Sequence, residues 1–121
     1  MTNAEVEELI KDTFDCILHV REVKAAEYSE DSDVLSNFRR NGEDMGVPME
    51  VIWRVYAGKH WDALSQYVRD IGNGTRRVLS EPIESRIDDL ILYLCLFKAM
   101  LRERSARQGQ HECADPHCGT N

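Results

Sequence analysis

The sequence predicts an all-α fold: an antiparallel bundle of four helices, followed by a flexible C-terminal tail. Three observations support this prediction. Only three prolines and seven glycines interrupt the 121 residues, which favours a few long elements. Apolar residues recur at intervals of three and four, which is typical of amphipathic helices, and the breaks between these stretches are polar or contain glycine and proline. One helical domain is therefore expected over residues 1–107, with a polar tail over 108–121.

The first helix is predicted from about Asn3 to about Tyr28, with Asn3 as its N-cap. Acidic residues in its first turns suit the positive end of the helix dipole. After a polar break at residues 29–33, a short second helix is expected from about Val34 to Asp44. The apolar stripe of the first helix consists of Val6, Leu9, Ile10, Phe14, Ile17, Leu18 and Val23.

The second half of the chain is predicted to form two long helices. One runs from Pro48 to about Ile71, and the other is capped by Ser80 and runs to about Arg107. Every residue from Leu90 to Phe97 is apolar, so this section is either buried on all sides or forms a subunit contact. A strand is the competing interpretation, but helical periodicity on both flanks favours a helix. Because a bundle this small gains from pairing with a second copy, a homodimer or higher homo-oligomer is expected.

Charge and composition exclude several classes of function. The net charge is −7, and residues 1–45 carry all of it, with twelve acids and five bases. Such a negative field repels phosphate backbones, so general nucleic-acid binding is excluded. The longest apolar run is eight residues, too short to span a bilayer, so no membrane partner is expected. Four cysteines without a disulfide framework suit a reducing cytoplasm.

The strongest candidate for chemistry is a set of carboxylates at the start of the last helix. Glu81, Glu84 and Asp88 are spaced by three and four residues, which places them on one helix face. Because the three negative charges repel one another, the arrangement costs stability unless a positive charge lies among them. That charge could be a divalent cation, Arg86 or a base from another helix. Mg²⁺, with Mn²⁺ as an alternative, suits two or three carboxylates that leave room for substrate phosphates. The other interpretation is that these acids complement the helix dipole, which explains Asp88 poorly.

A second candidate lies in the third helix, where Lys59 and His60 are adjacent. His60 falls on the apolar stripe of this helix, where a histidine is more often a hydrogen-bonded structural group. The alternative is that His60 meets the Glu84 and Asp88 face across the bundle. It would then serve as a metal ligand or as a proton acceptor.

A third candidate is the break between the first two helices, which combines aromatic, amide and basic side chains. Such a set can stack on a base and hold phosphates. On the residues alone a solvated turn is favoured, with Phe38 in the core and the arginines paired to the acidic first helix. The candidate residues are Lys24, Tyr28, Asn37, Phe38, Arg39 and Arg40.

The C-terminal tail contains four side chains that can bind soft metals, His111, Cys113, His117 and Cys118. Adjacent His117 and Cys118 do not have the spacing of a zinc knuckle, so a structural zinc site is not expected. Glycines and polar residues from about Gln108 onward favour a mobile tail instead.

A family resemblance is carried by three segments: KAAEYSEDSDVLSNFRR, VYAGKHWDAL and SEPIESRIDDLILYL. They resemble small helical proteins, common in bacteriophage genomes, that are grouped as nucleotide-modification-associated or MazG-like domains. The resemblance covers about residues 14–101. It implies an all-α nucleoside triphosphate pyrophosphohydrolase or a related (deoxy)nucleotide-processing protein. Such an enzyme would use Mg²⁺ held by carboxylates to release pyrophosphate from its substrate. The family motif is Glu-x-x-Glu followed on a later helix by Glu-x-x-Asp, whereas here Asp88 follows Glu84 after three residues.

The resemblance implies a role for each candidate residue. Glu84 and Asp88 would hold Mg²⁺, with Glu81 assisting. His60 and Lys59 would orient the substrate or contact its phosphates as the catalytic pair. Asn37 and Phe38 would contact the base or the sugar. The full set of implied substrate-binding residues is Lys24, Tyr28, Asn37, Phe38 and Arg39.

Two rival hypotheses stand beside this one. The first is a non-catalytic phage accessory protein that binds a nucleotide, or a host protein with a basic surface, through its acidic first 45 residues. The second is a purely structural helical dimer with the last helix as its interface.

Overall fold

The computed structural model describes residues 1–27 and 34–109, and all regular structure in these ranges is helical. The helices are α1 (Asn3–Glu27), α2 (Ser36–Met45), α3 (Met49–Asn73) and α4 (Ile83–Gln108). Because the described ranges contain no strand, the all-α prediction is confirmed and the strand interpretation of residues 90–97 is wrong. Across these ranges, no helix is long and apolar enough to cross a membrane.

Helix α1 begins with a capping box formed by Thr2 and Glu5. The Glu5 N–H donates to Thr2 Oγ1 over 3.1 Å, and the Thr2 N–H donates to Glu5 Oε2 over 2.7 Å. This reciprocal pair satisfies two backbone donors that a helix start otherwise leaves unpaired. The predicted cap is therefore wrong by one position, since Asn3 is the first residue of the helix.

The start of α4 also differs from the prediction, and Pro82 is the reason. Helical geometry is disfavoured for a residue that precedes proline, because the proline ring clashes with that residue's backbone and Cβ. Glu81 therefore lies outside the helix, and Pro82 is the N-cap, with φ −58° and ψ 142°. Ser80 does not cap the helix, which begins at Ile83.

Glycines in the left-handed conformation end α2 and α3. Gly46 has φ 69° and Gly74 has φ 68°, angles that strain any residue with a Cβ. The chain reverses within a few residues after Gly46 and re-enters a helix at Met49. This tight turn sets α2 and α3 side by side in opposite directions.

The core lies between α2, α3 and α4. Its centre is a cluster of four buried side chains, Leu35, Phe38, Met49 and Met100. Tyr56 and Tyr93 approach Phe38 edge to face, with ring centroids 5.9 and 6.3 Å away. These are the offsets that aromatic quadrupoles prefer, so the three rings fix how α2 sits on the other two helices.

Helices α3 and α4 pack in antiparallel orientation. The Trp53 ring stacks on Phe97 with centroids 4.6 Å apart, and Trp53 Nε1–H donates to the Tyr93 carbonyl over 2.6 Å. Glu50, earlier in α3, pairs with Arg104, later in α4, over 2.8 Å. Because residue numbers rise along α3 as they fall along α4 in these pairs, the two helices run in opposite directions.

Helix α1 is separate from this core and contacts α4 alone among the described helices. Ile17 is buried, but most of the predicted apolar stripe of α1 is exposed. The predicted bundle is therefore realised only in α2, α3 and α4, with α1 attached to the side of α4. The apolar middle of α4 was expected to be either buried on all sides or a subunit contact. It is largely half-buried by the chain itself, and Leu94 is the large apolar side chain in it that stays exposed.

Candidate functional site

Negative charge is concentrated in the first two turns of α4. Glu84 lies in the first turn and is exposed, and Asp88 lies one turn later on the same face and is half-buried. The pKa of Asp88 is raised above its ordinary value, chiefly because burial removes water from the carboxylate. The neighbouring charges of Asp89 and Glu84 raise it further. All three of these effects disfavour the ionised form of Asp88.

Glu81 does not join these carboxylates on the helix face. It lies before Pro82 and accepts an ion-paired hydrogen bond from Arg86 Nε over 2.8 Å. The predicted face of three carboxylates is wrong in this respect, because Glu81 is not helical. In the described ranges, no group of three or more His, Cys, Asp and Glu side chains is placed to hold a metal ion. Glu84 and Asp88 remain as a pair, and their assignment to Mg²⁺ remains a prediction.

His60 meets α4 across the helix interface, but through a different carboxylate from the predicted ones. Its Nδ1 lies 3.8 Å from Asp89 Oδ2 and 3.4 Å from Arg86 Nη1. The imidazole ring is tilted against Tyr93, with centroids 5.2 Å apart, and its side chain is 14% exposed. A neutral ring can accept an Arg86 N–H at Nδ1, whereas a protonated ring would attract Asp89 instead.

Two aromatic residues connect this cluster to the core. The pKa of Tyr93 is raised, first by burial and then by the charge of Asp89 and by Tyr56. Tyr56 in turn lies beneath Lys59, whose Nζ is 5.6 Å from the ring centroid, a cation–π contact. Lys59 is exposed, so its ammonium is available to a ligand at the surface beside His60.

The predicted substrate-binding residues of α2 do not form one surface. Phe38 is only 8% exposed and belongs to the core, as the alternative interpretation expected. Its ring therefore has no free face for a nucleobase. Asn37 is exposed and accepts a hydrogen bond from Arg40, while Arg39 forms an ion pair with Glu103 of α4.

Several predicted residues lie outside the described part of the chain. Tyr28 falls in the undescribed segment between α1 and α2, and the Lys24 side chain is likewise undescribed. The four tail residues considered for zinc, His111, Cys113, His117 and Cys118, also lie beyond the described range.

Arg39 and the carboxylate pair lie at different places along α4. The partner of Arg39 is Glu103, fifteen residues after Asp88, which corresponds to roughly 22 Å of helix at 1.5 Å per residue. One nucleotide is too short to contact both within a single copy of the chain. The predicted phosphate contact at Arg39 and the predicted metal pair are therefore not brought together.

Near Arg39 lies a cavity of about 590 Å³, between the turn after α2 and the end of α4. Arg39, Arg104 and Arg107 line it together with Glu43 and Glu50. Two of these arginines, Arg39 and Arg107, pair with the same carboxylate, that of Glu103. Nothing in the sequence indicated this cavity, because its walls come from three separate helices.

A buried carboxylate at the end of α3 was also missed. Asp70 is 6% exposed and receives hydrogen bonds from Arg77 Nε, Arg77 Nη2 and Gln66 over 2.9, 3.1 and 2.9 Å. These bonds lower its pKa to about 2. Since Arg77 lies in the connection before α4, the pair anchors that connection to α3. The seven-residue spacing across a glycine turn gives no sequence signal for such a bond.

Neither family models, nor curated proteins, nor solved structures give a match to this chain. The chemical capacity of the α4 cluster follows from its side chains. Glu84 and Asp88 are hard oxygen donors, suited to Mg²⁺ or Mn²⁺. His60 can accept a proton, and the exposed Lys59 can contact an anion.

Proposed function

We propose that this chain processes nucleotides, as a metal-dependent nucleoside triphosphate pyrophosphohydrolase or a close relative. The observation that supports this most is geometric: Glu84 and Asp88 lie one turn apart on one face of α4, and His60 of α3 meets the same part of this helix. Asp88, Asp89 and Glu84 lie within six residues, and burial makes the negative charge of Asp88 costly. A divalent cation beside Glu84 and Asp88 would remove this cost and would attract the phosphates of a nucleotide.

The donor set fits Mg²⁺ better than a metal that needs a closed protein cage. Mg²⁺ is usually held by one or two carboxylates and keeps several waters, which substrate phosphates can replace. Glu84 and Asp88 supply two carboxylates one turn apart, so a third protein ligand is not required. When bound there, the ion would supply a water of lowered pKa and would neutralise phosphate charge.

The remaining residues of the cluster would bind and orient the substrate. The Nδ1 atom of His60 lies near both Arg86 and Asp89, so the ring is held where it could orient a substrate. Lys59, exposed on the same helix, would contact a phosphate oxygen. Glu81 would act as a positioning residue, because its ion pair holds the guanidinium of Arg86 near His60.

Pyrophosphate release tests this function. Purified chain is incubated with each common dNTP and NTP, with Mg²⁺ or Mn²⁺, beside Glu84→Gln and Asp88→Asn variants. Asp44→Asn, which changes an exposed carboxylate at the end of α2, is the matched control. Turnover should be lost in the first two variants and kept in the control. No turnover with any nucleotide, or equal turnover in all variants, would refute the proposal.

A second candidate function, nucleotide binding without hydrolysis, is favoured by the arginine-lined cavity. Its volume of about 590 Å³ is within the range of small-molecule sites. A phosphate group entering it would replace Glu103 between Arg39 and Arg107. Calorimetric titration with a nucleotide in the absence of metal distinguishes the two functions. If the nucleotide affinity falls in Arg39→Gln and Arg107→Gln but not in Asp88→Asn, the nucleotide binds in the cavity. If the affinity falls in Asp88→Asn and not in the arginine variants, this candidate is refuted.

A further inference from the structure

The arginine-lined cavity lies at the end of the three-helix core, where α2 ends, α3 begins and α4 ends. Its three arginines come from two helices, Arg39 from α2 and both Arg104 and Arg107 from α4. Arg104 and Arg107 are three residues apart and therefore share one face of α4. A planar guanidinium can donate two parallel N–H bonds to one anion, so three of them around one space suit a ligand with several anionic oxygens.

The three guanidinium groups are unequally engaged within the chain. Arg104 donates a hydrogen bond to Glu50 over 2.8 Å, and Arg39 donates one to Glu103. Arg107 shares Glu103 with Arg39, but its Nη2 lies 3.7 Å from the carboxylate oxygen, which is longer than a hydrogen bond. Glu103 is the nearest ionic partner of Arg107 in the part of the chain that the structure describes, and the Arg107 side chain is 66% exposed. Its N–H groups are therefore available to a ligand in the cavity.

The balance of charge in the cavity determines how an anion enters it. The lining carries three arginines and two carboxylates, those of Glu43 and Glu50, and Glu103 offsets the remaining positive charge. An anion that replaces Glu103 meets a net positive lining, and the Glu103 side chain, which is 41% exposed, can turn into solvent. The ligand must hold the arginines more strongly than one carboxylate does. A phosphate chain satisfies this condition, because it carries several charges and accepts several hydrogen bonds.

The rest of the lining offers no surface on which a nucleobase could stack. Among the described residues that line the cavity, none has an aromatic ring. Stacking on aromatic side chains is a main source of affinity for bases, so this lining can select a phosphate chain but cannot distinguish one base from another. The uncharged lining residues are Gly42, Gly46, Val47, Pro48, Met49 and Gln108.

We propose that the cavity recognises the phosphate chain of its ligand and not the nucleoside, so that it binds inorganic pyrophosphate about as well as a nucleoside triphosphate. This inference rests on the second candidate function and names its ligand class. Arg39 and Arg107, released from Glu103, hold the phosphate oxygens together with Arg104. The nucleoside, where one is present, extends out of the cavity. Since the leading proposed function releases pyrophosphate, the cavity is also a site for that product, at the end of α4 opposite Asp88.

Calorimetric titration of the full chain tests this inference, without metal and at about 0.15 M salt, which screens distant charges. The ligands are inorganic pyrophosphate, the four common NTPs and adenosine. The Kd of pyrophosphate should lie within about tenfold of that of ATP, the four NTPs should agree within the same range, and adenosine should not bind. Absence of pyrophosphate binding would overturn the inference, as would NTP affinities that differ by much more than this between bases.

Variants of the full chain locate the bound pyrophosphate. Arg107→Gln should lower its affinity by at least about tenfold, the usual effect of losing a charge-assisted hydrogen bond. Lys98→Gln is the matched control, because it removes the same charge from an exposed position of α4 outside the cavity. Glu103→Gln should raise the affinity, since the competing carboxylate is removed, whereas Glu8→Gln on α1 should leave it unchanged. Equal affinities in Arg107→Gln and Lys98→Gln, or in Glu103→Gln and Glu8→Gln, would overturn the inference.

The same titrations distinguish a failure of this inference from a failure of either proposed function. If pyrophosphate binds through Arg107 but no nucleotide is hydrolysed, the hydrolase proposal fails and the inference is supported. If turnover depends on Asp88 but pyrophosphate does not bind without metal, the inference fails and the hydrolase proposal is kept. If nucleotides bind through Arg107 but pyrophosphate does not, the second candidate function is kept and only its assignment to the phosphate chain is overturned.

Discussion

Arg77 holds the carboxylate of Asp70 with two parallel hydrogen bonds and thereby ties the connection before α4 to the last turn of α3. The same segment is fastened by the Thr75 N–H, which donates to the Asp70 carbonyl over 2.9 Å. One residue thus uses its side chain and its backbone to fix where the chain leaves α3. The approach of α4, which carries the proposed site, begins from this anchor.

Replacing Asp70 by Asn is expected to lower stability at neutral pH and to change its pH dependence. The pKa of Asp70 is about 2 in the folded state and 3.8 ordinarily, so the folded state favours the ionised form. Its stabilising contribution is therefore present above about pH 4 and is lost as pH falls toward 2. Thermal unfolding between pH 2 and pH 7 should show wild type and variant converging at the acidic end. Equal Tm values at pH 7 would contradict this expectation.

Gly42→Ala should destabilise the fold by about 1–3 kcal/mol, the usual cost of overpacking. A Cβ at Gly42 would lie 2.7 Å from the Val47 oxygen and 3.3 Å from the Met49 nitrogen, and these backbone atoms are fixed by the turn after α2. Gly72→Ala is the matched control, because nothing lies within 4 Å of its Cβ position. As a helical site it should gain up to about 1 kcal/mol. Urea denaturation of both variants checks the sign of each change.

Met100→Ala is expected to cost about 2–5 kcal/mol, because truncating a buried side chain leaves a cavity. Met100 is completely buried at the centre of the cluster shared by α2, α3 and α4. The control is Met45→Ala, whose side chain is 71% exposed at the end of α2 and should change stability little. Comparable losses in the two variants would mean that the core is not centred on Met100.

Asp88→Asn should raise stability at pH 7 in the absence of metal. The folded-state pKa of Asp88 is raised, so the ionised carboxylate costs stability at neutral pH. That cost disappears as pH falls through the raised pKa, and below about pH 4 the variant and wild type should agree. The prediction would be contradicted if the wild type were less stable than the variant at acidic pH but not at pH 7.

Mg²⁺ should reverse the ranking of these two proteins. Binding to the folded state alone stabilises it, by about 1.4 kcal/mol at ten times Kd. The wild type and the Asp44→Asn control should therefore gain Tm with Mg²⁺, and Asp88→Asn should not. This readout does not require turnover, so it separates metal binding from catalysis. An equal Mg²⁺ effect in all three proteins would place the ion elsewhere.

Local features of the fold could be predicted from the sequence because their causes are local. The turn at Gly46 and the proline that follows it mark the boundary between α2 and α3 within two residues, and periodicity alone identified the four helices. The N-cap of α4 was predicted two residues early, at Ser80 instead of Pro82, although the restriction that Pro82 places on Glu81 is a local rule. The T-x-x-E capping box at Thr2 was likewise present in the sequence.

Contacts between distant residues could not be predicted in the same way. One interpretation had His60 meet the face of Glu84 and Asp88, but it lies beside Asp89, because successive residues of a helix point about 100° apart and the sequence does not show which of them faces α3. The ion pair of Arg39 with Glu103 joins residues 64 positions apart, and no spacing rule reaches so far. The sequence therefore indicated which residues belong to the candidate site, but not which of them contact one another.

The attachment of α1 to α4 has a consequence during synthesis. More than fifty residues separate the end of α1 from the start of α4, so α1 emerges from the ribosome well before the helix that it contacts. Until α4 follows, its apolar side chains have no partner among the described helices of the same chain. A nascent chain in this state is the kind of species that chaperones bind and that aggregates when they are absent.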